Sequence, residues 1–287
     1  MKKTFTFGLL IASYLCYSQT IDHAQLEVRY HYEMVGNRAQ PERKTTDEVI
    51  LLIGNRYTAY YSFMNFTTDS LQKANPNEYQ SQLTGGGGAT MRPGETLKEF
   101  ADRSGGTLTV NQPRTRLPSN PFNTGHYFIN RSSGEVTYLS DGIRSAGGNR
   151  GHYSYTEQLE KPEWTIETET AEIAGYSSQK ATTRYGGRDW TVWFTPEIPV
   201  SEGPWKLRGL PGLILKAETA DGEFALTATS VVRSSNRSIV KDQENVYRNI
   251  SKKELYRLQK EGPQIMAGMI IEGNLPREEL NLIEILD

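Results

Sequence analysis

LILKAETADGEFALTAT, residues 213–229, is the stretch on which the fold reading turns. Two β-rich runs, 213–219 and 223–229, flank Asp221-Gly222. Asp-Gly accepts the positive φ angles that a tight antiparallel turn demands, so the stretch reads as a hairpin. The same grammar recurs outward from it. Residues 180–185 and 190–194 flank Gly186-Gly187, residues 126–130 and 135–139 flank Arg131-Ser132-Ser133-Gly134, and residues 49–53 and 57–64 meet at Gly54-Asn55. At the N-terminal side, Leu26, Val28, Tyr30, Tyr32 and Met34 alternate with Glu27, Arg29, His31 and Glu33. Period-two alternation marks a strand with one buried face, and puts His31 in solvent. Sequential strands with short links give an antiparallel meander.

Helical signals are few. Ser251 with Glu254 forms a capping box that opens a helix to about Lys260. Pro276 starts a second candidate, with Leu280, Ile283 and Leu286 on one face. A short candidate at 95–101 sits in residues 68–106, which contain Asn75-Pro76-Asn77 and the run Gly85 to Gly88 and read as a flexible insertion. The expected fold is therefore mainly β: one curved antiparallel sheet, a half-barrel resembling the periplasmic lipoprotein-carrier fold, with one or two helices on its concave side. A closed antiparallel β-barrel is the alternative.

The N-terminus reads as a signal peptide over 1–18, with Lys2 and Lys3 before an apolar run and a cleavage site at Ser18–Gln19. That makes 19–287 a single exported domain, periplasmic or secreted. Cys16, the sole cysteine, leaves with the leader, and Leu15 before it argues against lipidation. The 32 Lys and Arg against 34 Asp and Glu exclude a protein built to neutralise nucleic-acid phosphates. After residue 18 no apolar run is long enough for a transmembrane helix.

Residues 173–216 carry a signature that includes Gly175-Tyr176, Lys180-Ala181, Gly187-Arg188, Trp193-Phe194-Thr195, Ile198-Pro199, Gly203-Pro204 and Gly209-Leu210-Pro211-Gly212-Leu213-Ile214. With the hairpin at Leu52-Ile53-Gly54, the chain resembles the GLPGLI family, secreted Bacteroidota proteins of uncharacterised role. The resemblance implies export and a β-dominated domain, and no reaction. Family members often carry Cys where this chain has Ser178. The link between the flanking hairpins holds Pro196, Pro199, Pro204 and Pro211, which cannot donate ladder hydrogen bonds, so it reads as a rigid, irregular crossover. Gly209, Pro211 and Gly212 read as structural. If Leu213 and Leu215 face the core, alternation sends Ile214 to the opposite face.

Chemistry is sparse. His23, His31, His126 and His152 lack close ligand spacing, so no metal site and no cofactor are expected. Ser-x-x-Lys occurs at Ser70/Lys73, Ser177/Lys180 and Ser238/Lys241 without partner motifs, and no GxSxG elbow appears. No catalytic residue is assigned. Aromatic density is the unusual feature: Tyr57, Tyr60, Tyr61 and Phe63 in one strand, Trp190, Trp193 and Phe194 in another, with Trp193 facing away from Trp190 and Phe194. Tyr57, Tyr61, Trp190, Trp193 and Phe194 are the candidate ligand or partner surface. The expected function is non-catalytic: holding a lipid or other apolar ligand in a half-barrel groove. The alternatives are an accessory subunit docking on an outer-membrane assembly and, third, a hydrolase.

Overall fold

The computed structural model describes residues 19–35, 38, 41–42, 44–63, 125–144, 150–233, 237–241, 247–261, 265–266, 269–270 and 283–285. The leader 1–18, the insertion 68–106 and most of the second candidate helix lie outside them. Residues 283–285, which that helix was expected to include, hold bends and no helix.

The strands are β1 (Gln19–Val35), β2 (Lys44–Gly54), β3 (Tyr57–Ser62), β4 (Gly125–Asn130), β5 (Glu135–Arg144), β6 (Arg150–Gln158), β7 (Thr165–Ile173), β8 (Tyr176–Tyr185), β9 (Arg188–Thr195), β10 (Leu213–Thr219), β11 (Phe224–Arg233), β12 (Ser238–Lys241) and β13 (Arg248–Asn249). They form one sheet in the order β13-β6-β5-β4-β3-β2-β1-β11-β10-β9-β8-β7, with β12 paired to the start of β1. Every ladder is antiparallel except β13 on β6. Two meanders, β1 to β6 and β7 to β11, are therefore stitched together where β1 pairs with β11. The expected turns appear where Gly was read: Gly186, Gly187 and Gly222 all have positive φ.

Chain connectivity forces the sheet to curve. β6 and β7 stand ten strand steps apart in the sheet order, about 48 Å if flat at ~4.8 Å per step. Residues 159–164 must bridge that gap, and seven Cα steps reach at most about 25 Å. The two ends of the sheet must curl toward each other. Side chains confirm it, since Tyr155 of β6 and Ala181, Trp190 and Phe194 of β8 and β9 share one core cluster. That cluster defines the concave side. β6 and β7 form no ladder with each other among the described residues, so the sheet is open and the closed-barrel alternative is excluded.

The concave core takes Leu26, Val28, Tyr30, Tyr32 and Met34, the face assigned by alternation, and His31 is exposed as expected. A smaller cluster on the convex side, with Ile50, Leu52, Tyr61, Phe128 and Leu139, is capped by Ile239 of β12 and Tyr247. Helix α1 (Lys252–Glu261) enters the concave core through Leu255, which is fully buried. Half of its capping box forms. Ser251 Oγ accepts the Glu254 N–H at 3.1 Å, while the Glu254 carboxylate turns to Arg257 at 2.7 and 2.8 Å. Ser251→Ala is expected to cost about 1 kcal/mol, read as a lower urea midpoint with an unchanged slope. An unchanged midpoint would mean the cap carries no stability.

Candidate functional site

The crossover, residues 196–212, is the most elaborate irregular segment of the described chain. Its prolines deny it a place in a ladder, so its backbone groups find partners within the loop. Val200 N–H reaches Ile198 O at 2.8 Å, Leu207 N–H reaches Pro204 O at 3.1 Å, and Gly209 N–H reaches Ser201 O at 3.2 Å. The loop then closes onto the next strand, where Leu213 N–H donates to Ile198 O and Ile214 N–H to Glu202 O, both at 3.0 Å. Folded this way, the crossover drives Ile198, Trp205, Leu207 and Leu210 into the concave core.

Two of its backbone positions are special. Trp205 sits in the left-handed region at φ 56, although only 1% exposed. A non-glycine residue there costs about 1–3 kcal/mol, and the indole offsets it by packing against Trp190 and Tyr185, with ring centroids 5.8 and 5.7 Å away. Gly212 is buried against the backbone of β9: a Cβ there would lie 2.2 Å from Thr195 O.

Ile214 departs from the alternation argument. Leu213, Ile214 and Leu215 all lie in the concave cluster at 0% exposure. The β10–β9 register slips between Ile214 and Lys216, and a bulge breaks period-two facing. Ile214 packs beneath Gly203, whose Cβ would meet its Cβ at 2.8 Å.

The crossover also brings charge into the interior. Lys206 is 1% exposed, yet its Nζ lies 2.7 Å from Glu284 Oε2 and pairs with Glu157 of β6. Lys252 of α1 joins both carboxylates, with Glu157 Oε2 at 2.7 Å. The Tyr256 hydroxyl donates to Glu284 Oε2 at 3.2 Å. Burial pulls the Lys206 ammonium below its usual range, opposed by Glu284 and Glu157. Burial also pushes the Glu284 carboxyl up, but Lys206 and Lys252 together hold it below the ordinary range. Aromatic rings of Trp205, Tyr127 and Tyr155 surround the Lys206 ammonium at 5.3 to 5.9 Å.

A second anchor is Glu202, 3% exposed, which receives Arg131 at 3.0 Å and Arg208 at 3.2 Å. Arg131 also donates to Gly54 O at 2.7 Å, tying the crossover to the β2–β3 turn. A third is Arg188 of the signature, 1% exposed at its side chain. It holds Asp221 and Glu223 at 2.8 Å each and stacks 4.5 Å over Phe224.

The aromatic surface residues do not gather into one site. Trp190, Phe194 and Tyr61 are buried, Tyr57 and Trp193 half-buried. Trp190 and Phe194 belong to the concave core, and Trp193 lies on the other face under the Lys216 ammonium at 4.6 Å. Tyr57 and Tyr61 stand on β3, five strand steps from β9, about 24 Å along the sheet. The Gly209-to-Ile214 hexapeptide shows solvent only Gly209 and Pro211. Lys206, Glu157, Lys252 and Glu284 escaped sequence reading because they come from four separate segments with no diagnostic spacing.

Residues 88–256 match the family described as "N-glycanase peptide, N-terminal domain", which is more than half of the chain. The chain belongs to this family. The N-glycanase N-terminal domain match takes in the whole crossover, with Glu157, Lys206, Lys252 and Tyr256 inside it and Glu284 beyond it. No curated protein matches the sequence. Solved structures of PNGF-II in the C2 and P21 space groups are similar, at 17% and 16% identity and a TM-score of 0.47 each. They cover 83% and 82% of this chain but 32% and 33% of their own, so the chain spans about a third of their length.

Chemically, the site is a closed, charge-balanced cluster of two lysines and two carboxylates. It can hold elements together and it can hold a carboxylate. Among the described residues no group of three or more His, Cys, Asp or Glu is placed to ligate a metal. No helix among them is long and apolar enough to cross a membrane.

Proposed function

We propose that this chain is an exported, non-catalytic β domain that works by docking on a partner protein of an outer-membrane assembly. The observation that carries the reading is the filled concave side. Ile198, Trp205, Leu207, Leu210 and Leu255 occupy the space where a carrier would seat an apolar ligand. That disfavours the lipid-carrier reading and leaves the convex face and the sheet edge for interaction. Among the described residues the edge strand β7 pairs with β8 on one side only, and it exposes Ile166, the geometry of strand addition. Its Glu167 and Glu169 restrain indiscriminate pairing. The most concentrated ionisable groups are spent on internal pairing, which supports a non-reacting domain. The leader-like N-terminus and the resemblance to the GLPGLI family both support export. The matching family is the N-terminal domain of an N-glycanase peptide, one part of such a protein.

Native mass spectrometry of the protein purified from its own host tests this. A stoichiometric complex with another envelope protein is the expected result. A folded monomer carrying a co-purified lipid would restore the carrier reading, and release of N-glycan from a glycopeptide by the purified chain would end the non-catalytic one.

A further inference from the structure

Residues 283–285 are held less like a chain end than like a bound peptide. Ile283 O accepts the Arg188 Nε–H at 3.1 Å, and Ile285 N–H donates to Gly186 O at 3.0 Å. Main-chain groups on both sides of Glu284 are thus read by the β8–β9 turn. Between them the Glu284 carboxylate enters a receptor of Lys206, Lys252 and the Tyr256 hydroxyl, and ends 11% exposed. The turn is shaped for this contact. A Cβ on Gly187 would lie 2.7 Å from Ile285 Cβ, and one on Gly186 would approach Glu284 Cγ to 3.4 Å. Ile283 packs against the concave core while Ile285 stays 43% exposed. Backbone hydrogen bonds supply register and a charged pocket supplies selectivity, which is how extended peptides are recognised.

The receptor is built for one negative charge. Among the described residues Lys206 and Lys252 share Glu157, so they retain one net positive charge that Glu284 neutralises. The receptor groups come from the β8–β9 turn, the crossover and α1, and their occupant arrives from a separate segment far along the chain.

We propose that the β8–β9 turn, Lys206, Lys252 and Tyr256 form a receptor for an extended peptide bearing one carboxylate, occupied here in cis by Ile283, Glu284 and Ile285. A free peptide of the same sequence competes for the site when the cis segment is weakened. This is independent of the docking function proposed above.

The test uses full-length protein and the peptide acetyl-Leu-Ile-Glu-Ile-Leu-amide, followed by calorimetric titration and thermal melting. In Glu284→Gln the cis segment keeps its backbone contacts but loses its charge. The peptide is expected to bind this variant saturably and raise its melting temperature. The same peptide with Gln for Glu should bind at least about tenfold more weakly, because charge-assisted hydrogen bonds are the strong ones. Wild-type protein, its site already filled, should bind at least about tenfold more weakly than the variant. Should Glu284→Gln fail to give a native near-ultraviolet dichroism spectrum, Ile285→Pro serves instead, since it removes the N–H to Gly186 together with the exposed Ile285 side chain and leaves every charge in place. No saturable binding to a folded variant would overturn the proposal. So would equal affinity for the Glu and Gln peptides, or for variant and wild type.

Discussion

Gly212→Val is expected to destabilise the protein by at least about 3 kcal/mol. The reason is close approach. A Cβ at position 212 would lie 2.2 Å from Thr195 O, 2.6 Å from Thr195 C and 3.0 Å from Pro196 N. All three are backbone atoms, so no side-chain rotation relieves the contact. The Leu213–Thr195 pair that starts the β10–β9 ladder would have to separate, and with it the seating of Leu213 and Ile214 in the core. Overpacking at side chains usually costs about 1–3 kcal/mol, and an immovable backbone puts this site at or above that range. Gly222→Ala is the control. Gly222 has φ +70 with nothing within 4 Å of its Cβ position, so only left-handed strain of about 1–2 kcal/mol applies. Urea unfolding of both variants settles the order. A Gly212→Val protein within 0.5 kcal/mol of wild type would show that the crossover is not pressed against β9.

What was legible in the sequence follows from what sequence periodicity encodes. Alternation placed Tyr30 and Val28 inside and His31 outside because β1 keeps an unbroken register with β2 from Leu26 onward, beyond the slip between Ala24 and Leu26. Glycine pairs located the β8–β9 turn because positive φ has few other sources. β7 was missed because an edge strand reading Thr-Ile-Glu-Thr-Glu-Thr buries little and carries almost no apolar signal. β6 was missed although Tyr153 and Tyr155 alternate. Ile214 was misassigned because a bulge is a tertiary event: the slip between Ile214 and Lys216 is set by the neighbouring strand and the crossover above it. The scatter of the aromatic candidates over the sheet has a related reason. Residue type marks Trp190 and Tyr57 alike, whereas strand order, which no local pattern contains, decides that they stand far apart. The lysine–carboxylate cluster depends on the same long-range order.

Lys206→Met should destabilise the protein by about 3–5 kcal/mol at neutral pH, and the deficit should shrink as the pH falls. Removing one member of a buried ion pair leaves its partner charged and desolvated, which is where a cost of that size arises. In the variant, Glu157 and Glu284 share Lys252 alone. The native Glu284 carboxyl titrates below its ordinary value of 4.5: burial raises it, and Lys206 with Lys252 more than offsets that. A carboxyl depressed on folding contributes stability that is full above 4.5 and is lost as the pH drops through the folded value. Without Lys206, burial dominates and the carboxyl moves up, so Glu284 takes a proton earlier and stops being an unpaired charge. The gap in melting temperature between wild type and Lys206→Met should therefore be widest near neutral pH and narrow below 4.5. The double variant Lys206→Met with Glu284→Gln should recover part of the loss at neutral pH, since a neutral pair of similar volume escapes the desolvation penalty. A gap that stays constant with pH, or a double variant no better than the single, would locate the cost of Lys206→Met in packing around Trp205 and Tyr127 rather than in the charge it leaves behind.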